Sequence, residues 1–425
     1  MKWLLLFFGV LLSGSMQAQT YVDSVYMPSI GNVSFFKQNN QQGMPVIHLN
    51  SNELLELHFD DMVGYTKNFY YTFVLCNANW KPADVSIFDY LKGFQQQAIN
   101  QYRISSITPE QYVSYQLLLP DANAMPAVSG NYILKVFLDG DTAKLAFTRR
   151  FFVVHNRIDI AANIAQPFTN QLFLTHQKVQ LSINTRELNI LNPQQQVKVL
   201  IMQNYRWDNA IQGIQPIFIN NNIYQYNAEQ DCIFPGGKEY RWANLESFRY
   251  QSERVAAVDK SSFPYQVYLK NDYDLSAQPY LLMNDMNGWY TISTTEMVNP
   301  WWQTDYAYVH FSFVPPANHP FTGQDVYIIG ALTGNRLTEK GKMHFNADKG
   351  IYEQTLFLKQ GYYNYTYVTR PSDEPNAPGS LKLTDGNSWE TENDYTIFVY
   401  YRSLNNRYDE LVGVSTINSR FNRQQ

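Results

Sequence analysis

Residues 326–368 hold three runs, at 326–329, 352–358 and 362–368, that are rich in β-branched and aromatic residues. Each is bounded by glycine or by Asn/Asp turn chemistry: Gly330 after the first, Ala347 to Gly350 before the second, Gly361 before the third. That is the pattern of half-buried antiparallel strands, in which successive side chains point to opposite faces. In the last run Tyr363, Tyr365 and Tyr367 share one face, and Tyr362, Asn364 and Thr366 share the other. The stretch reads as paired antiparallel strands, and the same reading along the rest of the chain gives the expected class, all-β.

The same pattern recurs along the chain. Residues 54–59, 69–75, 132–138 and 145–154 read as strands, the last two joined as a hairpin by Asp139, Gly140 and Asp141. Residues 179–183, 197–203, 263–269, 280–284 and 289–292 follow, then 306–313, 395–401 and 411–414. Residues 91–102 are the stretch most tolerant of helix, with a loop as the other reading. Turns before aromatic-led strands at Gly130-Asn131-Tyr132, Asn287-Gly288-Trp289 and Lys349-Gly350-Ile351 echo one another without a fixed period. The expected organisation is tandem immunoglobulin-like β-sandwich domains. They divide into an N-terminal sandwich over 19–157, a middle β-rich domain over 158–302 and a C-terminal domain over 303–425.

Residues 1–18 read as a signal peptide, with basic Lys2, an apolar run over 3–12 and a small-residue exit at Ala18. That run is too short for a transmembrane anchor, which needs about 18 apolar residues, and no direct membrane insertion is expected. Cleavage would leave 31 basic against 37 acidic residues, a net charge of −6. This balance gives no basic footprint for nucleic acid or anionic lipid. Aromatics make up 16% and charged residues only 16% of the chain, so Tyr, Asn, Gln, Ser and Thr must supply much of the polar surface. Cys76 and Cys232, in separate expected domains, read as two buried free thiols.

No nucleotide-binding, nucleophile-elbow, zinc-protease or CxxC motif occurs in the sequence. His58, Asp60 and Asp61 are neighbours, but adjacent strand residues face opposite ways, which argues against a metal site. Asp285 to Gly288 resembles half of a calcium loop without the twelfth-position glutamate, and reads as an Asx turn. Residues 385–394 gather acids and amides and read as a solvated loop that could also take calcium. Trp301 and Trp302 read as interface residues between domains. The sequence marks no catalytic, cofactor-binding or metal residue, singles out no partner-binding residue, and implies no cofactor and no enzyme.

Residues 326–368, in their order of strand, glycine, loop, turn and tyrosine strand, resemble early-set immunoglobulin-like modules, among them glycogen-binding domains. Where those modules usually place a tryptophan this chain reads Leu332 to Leu337. A periplasmic or surface carbohydrate-binding protein is the alternative that this partial resemblance carries. A more specific resemblance covers the mature chain in order. Its carriers are YTFVLCNANW at 71–80, YLKGF at 90–94, SGNYILKV at 129–136 and Arg149-Arg150-Phe151. They continue with FPGGKEYR at 234–241, Asp285 to Gly288, DYAYVHF at 305–311, residues 361–365, residues 391–395 and RYDELVG at 407–413. Together these resemble the type IX secretion system plug protein family of gram-negative bacteria, departing at Lys238 and at Ala243-Asn244. The resemblance implies a non-enzymatic periplasmic protein whose partner is the system's giant outer-membrane β-barrel translocon. It would close the translocon's periplasmic opening while no cargo passes.

Overall fold

A computed structural model describes residues 21–423. The expected signal peptide lies outside the described residues. The described residues are 44% strand and 3% helix, arranged in antiparallel sheets around three large apolar cores. Among the described residues no helix is long and apolar enough to cross a membrane.

The first sandwich spans the N-terminal third. Strands Phe69–Cys76, Gly130–Leu138 and Leu145–Val154 form the middle of one sheet, and Ile30–Lys37, Leu55–Asp61 and Val113–Leu119 form the other. Leu57, Phe59 and Tyr115 meet Phe73, Tyr132 and Phe151 between them. The expected hairpin is present, with Gly130 to Phe137 paired against Leu145 to Val153. Residues 91–102 are not helical. A single turn, Ile87–Tyr90, precedes short strands Leu91–Gly93 and Gln97–Ala98.

The second sandwich is built from two separated pieces of chain. One sheet holds Asp159–Ala165, His176–Asn184 and Ile223–Tyr226. In the other, Val197–Gln203 pairs with Asp394–Tyr401, which pairs with Glu410–Asn418. Its core mixes Val199 and Ile201 with Tyr395, Ile397, Val399 and Val412.

Between the two pieces runs the third sandwich. Arg241–Asn244, Gln324–Ile329 and Tyr362–Pro371 form one sheet, and Tyr265–Leu269, Tyr306–Val314 and Ile351–Lys359 dominate the other. Sheet pairing therefore crosses the boundary expected near residue 302. Strands on both sides of it share the third core, and the strands of 394–418 return to the second. Alternation in a strand sets which face is buried but not which strand lies alongside, so a sequential division misplaces the returning strands. Residues 280–284, expected as a strand, pair with no strand: Leu281 and Leu282 are exposed and the segment runs irregularly across the surface.

The first and second sandwiches also stack on each other. In Gly130–Leu138, Tyr132 and Leu134 face the first core while Ile133 faces outward. In Asp394–Tyr401, Ile397 and Val399 face the second core while Phe398 and Tyr400 face outward. The outward sets meet, with Phe152 and Phe398 rings stacked at 4.4 Å and Trp80, Met202 and Leu411 around them. Four sheet layers thus lie in one pile. Because both faces of the two inner sheets are buried, their strands read as nearly continuous apolar runs.

Candidate functional site

The side chains that stood out in the sequence converge on the junctions between sandwiches. At the first junction Asn131 Oδ1 accepts the Tyr400 hydroxyl at 2.9 Å, and Asn131 Nδ2 donates to Asn77 O at 3.2 Å. Asp409, almost fully buried, accepts Lys198 Nζ at 2.9 Å, Arg402 Nε at 2.8 Å and the Ala78 amide at 2.9 Å. Arg150 lies between the Trp80 and Trp207 rings, 4.5 and 4.1 Å from their centres, and donates to Tyr21 O. These residues come from four of the quoted segments except for Tyr400, Lys198, Arg402, Trp207 and Tyr21, which no sequence motif marked.

The second junction joins sandwiches one and three around Asp60. Its Oδ2 accepts Lys359 Nζ at 2.5 Å and the Tyr306 hydroxyl at 2.6 Å, and Asp60 and Lys359 are nearly without solvent contact. Burial pulls the Lys359 ammonium down from its usual range, and Asp60 opposes that pull. Tyr112 lies under the same ammonium and donates to Thr304 O at 2.8 Å. His58 goes elsewhere. Its ring stacks on Trp301 at 3.6 Å and its Nε2 meets Glu56 at 2.6 Å. Asp61 takes Lys67 at 2.7 Å. The three neighbours thus serve three different partners: Asp61 faces away from Asp60, while His58 and Asp60 share a face and meet different groups along it. Trp301 is an interface residue, as its position at a junction implied.

The third junction is the crossing from sandwich two into sandwich three, along residues 234–241. Phe234 sits in the second core. At Gly236 a Cβ would come within 2.0 Å of Ser388 O, so only glycine lets the two segments cross this closely. Lys238 Nζ is capped by the carbonyls of Leu275 and Gln278. Arg241 is buried between Asp272, at 3.0 Å, and Asp385. Asp385 also accepts the Thr366 hydroxyl, and Asn364 accepts the Met286 amide. The second face of the tyrosine strand is therefore buried as well: Asn364 and Thr366 lie beneath the segments at 285–288 and 381–386.

The same crossing draws the two acidic segments together. Asp285 Oδ1 accepts the Asn287 amide at 2.8 Å, so the expected Asx turn is present. One oxygen each of Glu239, Asp285 and Glu392 lies within 4.8 Å of the others. Burial pushes the Glu239 carboxyl up to about 7, against a hydrogen bond from Tyr280 and with Asp285 adding to the rise. Burial likewise lifts Asp285 to about 6, with the nearby charges of Glu392 and Asp394 contributing.

A cavity of about 740 Å³ opens where all three sandwiches meet. Arg149, Arg336 and Lys340 line it together with Tyr205, Trp289 and Tyr290. Arg149 and Arg336 are held by main-chain carbonyls, Arg149 Nη1 on Thr148 O at 2.8 Å and Arg336 Nη1 on Asp23 O at 3.2 Å. Lys340 donates to Leu332 O at 3.0 Å, and burial together with the Arg149 charge brings its ammonium down to about 8. Residues 332–337, where a sugar-binding tryptophan would stand, thus face this junction rather than an open surface. Cys76 and Cys232 are free, buried and in different cores. Burial raises their thiols to about 12 and about 11, which leaves them inert as nucleophiles.

The family profile described as "Type 9 secretion system plug protein 1st domain" matches residues 30–155. A crystal structure of a hypothetical protein from Parabacteroides merdae is 32% identical, with a TM-score of 0.90, covering 94% of this chain and 100% of that one. Trypsin-activated alpha-2-macroglobulin from Escherichia coli aligns at 9% identity over 91% of this chain and 23% of its own, with a TM-score of 0.16 that carries no structural argument. No curated protein matches the sequence.

Proposed function

The chain belongs to the type 9 secretion system plug protein family, and from that premise we propose that it is a non-enzymatic periplasmic plug. It binds the giant outer-membrane β-barrel translocon of that system and closes its periplasmic opening when no cargo is passing. The observation that carries this reading is the way the three sandwiches are fastened. A stopper must resist deformation, and here sheet-on-sheet packing, the Asp60–Lys359 pair and the crossing at Gly236 tie the sandwiches together through buried contacts. Weakly coupled domains would instead move relative to one another. The quoted family segments hold these junctions, which agrees with a protein whose shape is its function.

The surface chemistry fits a reversible contact. With charged residues at 16% and a small net charge, association gains little from long-range steering, and a wet, hydrogen-bonded interface can form and release. Deleting the gene in its own organism is therefore expected to make the outer membrane permeable to large hydrophilic antibiotics, with wild-type complementation restoring the barrier. An unchanged barrier in a deletion strain that still contains the translocon would refute the plug reading.

A further inference from the structure

We propose that Glu239, Asp285, Glu392 and Asp394, with the amide oxygen of Asn287, form a calcium site where the second sandwich passes into the third. The residues come from three remote segments. Glu239 lies on the crossing, Asp285 and Asn287 on the turn before strand Tyr290–Thr291, and Glu392 and Asp394 where the chain re-enters the second sandwich.

Nearby basic groups are engaged elsewhere. Arg206 holds Asp208, Arg241 holds Asp272 and Asp385, and Lys238 is capped by main-chain carbonyls. What stands between the carboxylates is neutral. Asn287 Nδ2 donates to Glu392 at 3.2 and 3.3 Å and to Asp394 at 3.1 Å. Asn418 Nδ2 donates to Asp394 at 2.9 Å and also to Glu392. These two amides are neutral and bring no positive charge to the four carboxyl groups.

Two oxygens in this cluster have no partner. Asn287 is only 7% exposed, its amide nitrogen is the end that faces the carboxylates, and its Oδ1 accepts no hydrogen bond, so a half-turn of the carboxamide would bring a bare oxygen to the cluster. Glu239 is 5% exposed and its Oε2 is likewise bare, while Oε1 takes the Tyr280 hydroxyl. Buried polar atoms are nearly always satisfied, and a buried carboxylate oxygen left bare costs free energy that a cation would recover. The donor set selects the ion. It is all oxygen, with no histidine or cysteine, which disfavours zinc and copper. It is rich in carboxylates on irregular segments, which suits the six to eight flexible oxygen ligands of calcium better than the strict octahedron of magnesium. Calcium bound here would staple the two ends of the inserted sandwich to each other.

The test uses the full mature chain stripped with EDTA and dialysed, titrated with calcium chloride or magnesium chloride while its thermal midpoint is followed. Terbium luminescence sensitised by the nearby Tyr280 and Trp289 serves as a direct binding readout. Calcium at about 1 mM, the range of extracytoplasmic modules, is expected to raise the midpoint by a few degrees and to quench bound terbium competitively, with magnesium weaker. Glu239→Gln and Asp285→Asn remove buried charge, so both are expected to fold in EDTA while losing the calcium shift and the terbium signal. No calcium shift in the wild type, or a shift and terbium signal unchanged in both variants, would overturn the proposal.

Discussion

Lys359 and Asp60 meet at 2.5 Å with almost no solvent contact, although 298 residues of chain lie between them. Breaking such a pair by removing one partner leaves an uncompensated buried charge, which costs about 3–5 kcal/mol. Lys359→Met is accordingly expected to lose about that much stability in urea titration. Adding Asp60→Asn should restore part of it, because the orphaned charge is then gone. Asp305 makes a prediction with a pH signature. Burial, and after it the charges of Glu296 and Glu110, raises its carboxyl from 3.8 to about 6, and its buried Oδ1 has no partner. A carboxyl raised on folding destabilises the fold once ionised, fully above pH 6, and the penalty fades as pH falls through 6 toward 3.8. Asp305→Asn should therefore raise the thermal midpoint at neutral pH and leave it unchanged near pH 3.8. The sequence showed that the adjacent Asp60 and Asp61 point to opposite faces of their strand. It could not show that Asp60 finds a lysine on a strand of another sandwich, because local spacing carries no information about remote partners.

Strand positions were legible because period-two burial is written locally. Val197–Gln203 occurs where residues 197–203 were expected, and Tyr363, Tyr365 and Tyr367 enter the third core together. Partnership was not legible. The strands Asp394–Tyr401 and Glu410–Asn418 are apolar on both faces, and nothing in that pattern says that they skip the sandwich they follow and return to the one before it. The acidic segments at 285–288 and 385–394 were each visible, but each had a sufficient local explanation as a turn or loop. Only the crossing at Gly236 brings Glu239 between them. Inserted domains have their ends close together, and Glu239 and Glu392 are close in space. Residues 238–392 expressed alone are expected to fold, with a cooperative melt and dispersed amide resonances. Residues 303–425 alone are expected to remain unfolded, because they lack strands Arg241–Asn244 and Tyr265–Leu269 and the partners of 394–418. A folded 303–425 fragment would contradict the insertion.

At the scale of the molecule, the segments that carry the family resemblance lie at the junctions between sandwiches. YTFVLCNANW and SGNYILKV supply Asn77 and Asn131, RYDELVG supplies Asp409, and FPGGKEYR supplies the glycine crossing and Arg241. They hold sandwiches against one another. The family was legible through resemblance, while the physical reason for each residue became visible only with the junctions in place. The most direct test of the central claim is to tag the protein in its own organism, solubilise the outer membrane in mild detergent and purify it. The plug account predicts recovery of one very large β-barrel protein at near-equal stoichiometry, with only modest loss as salt is raised. Recovery of the tagged protein free of any outer-membrane barrel, from membranes in which the translocon is present, would contradict it.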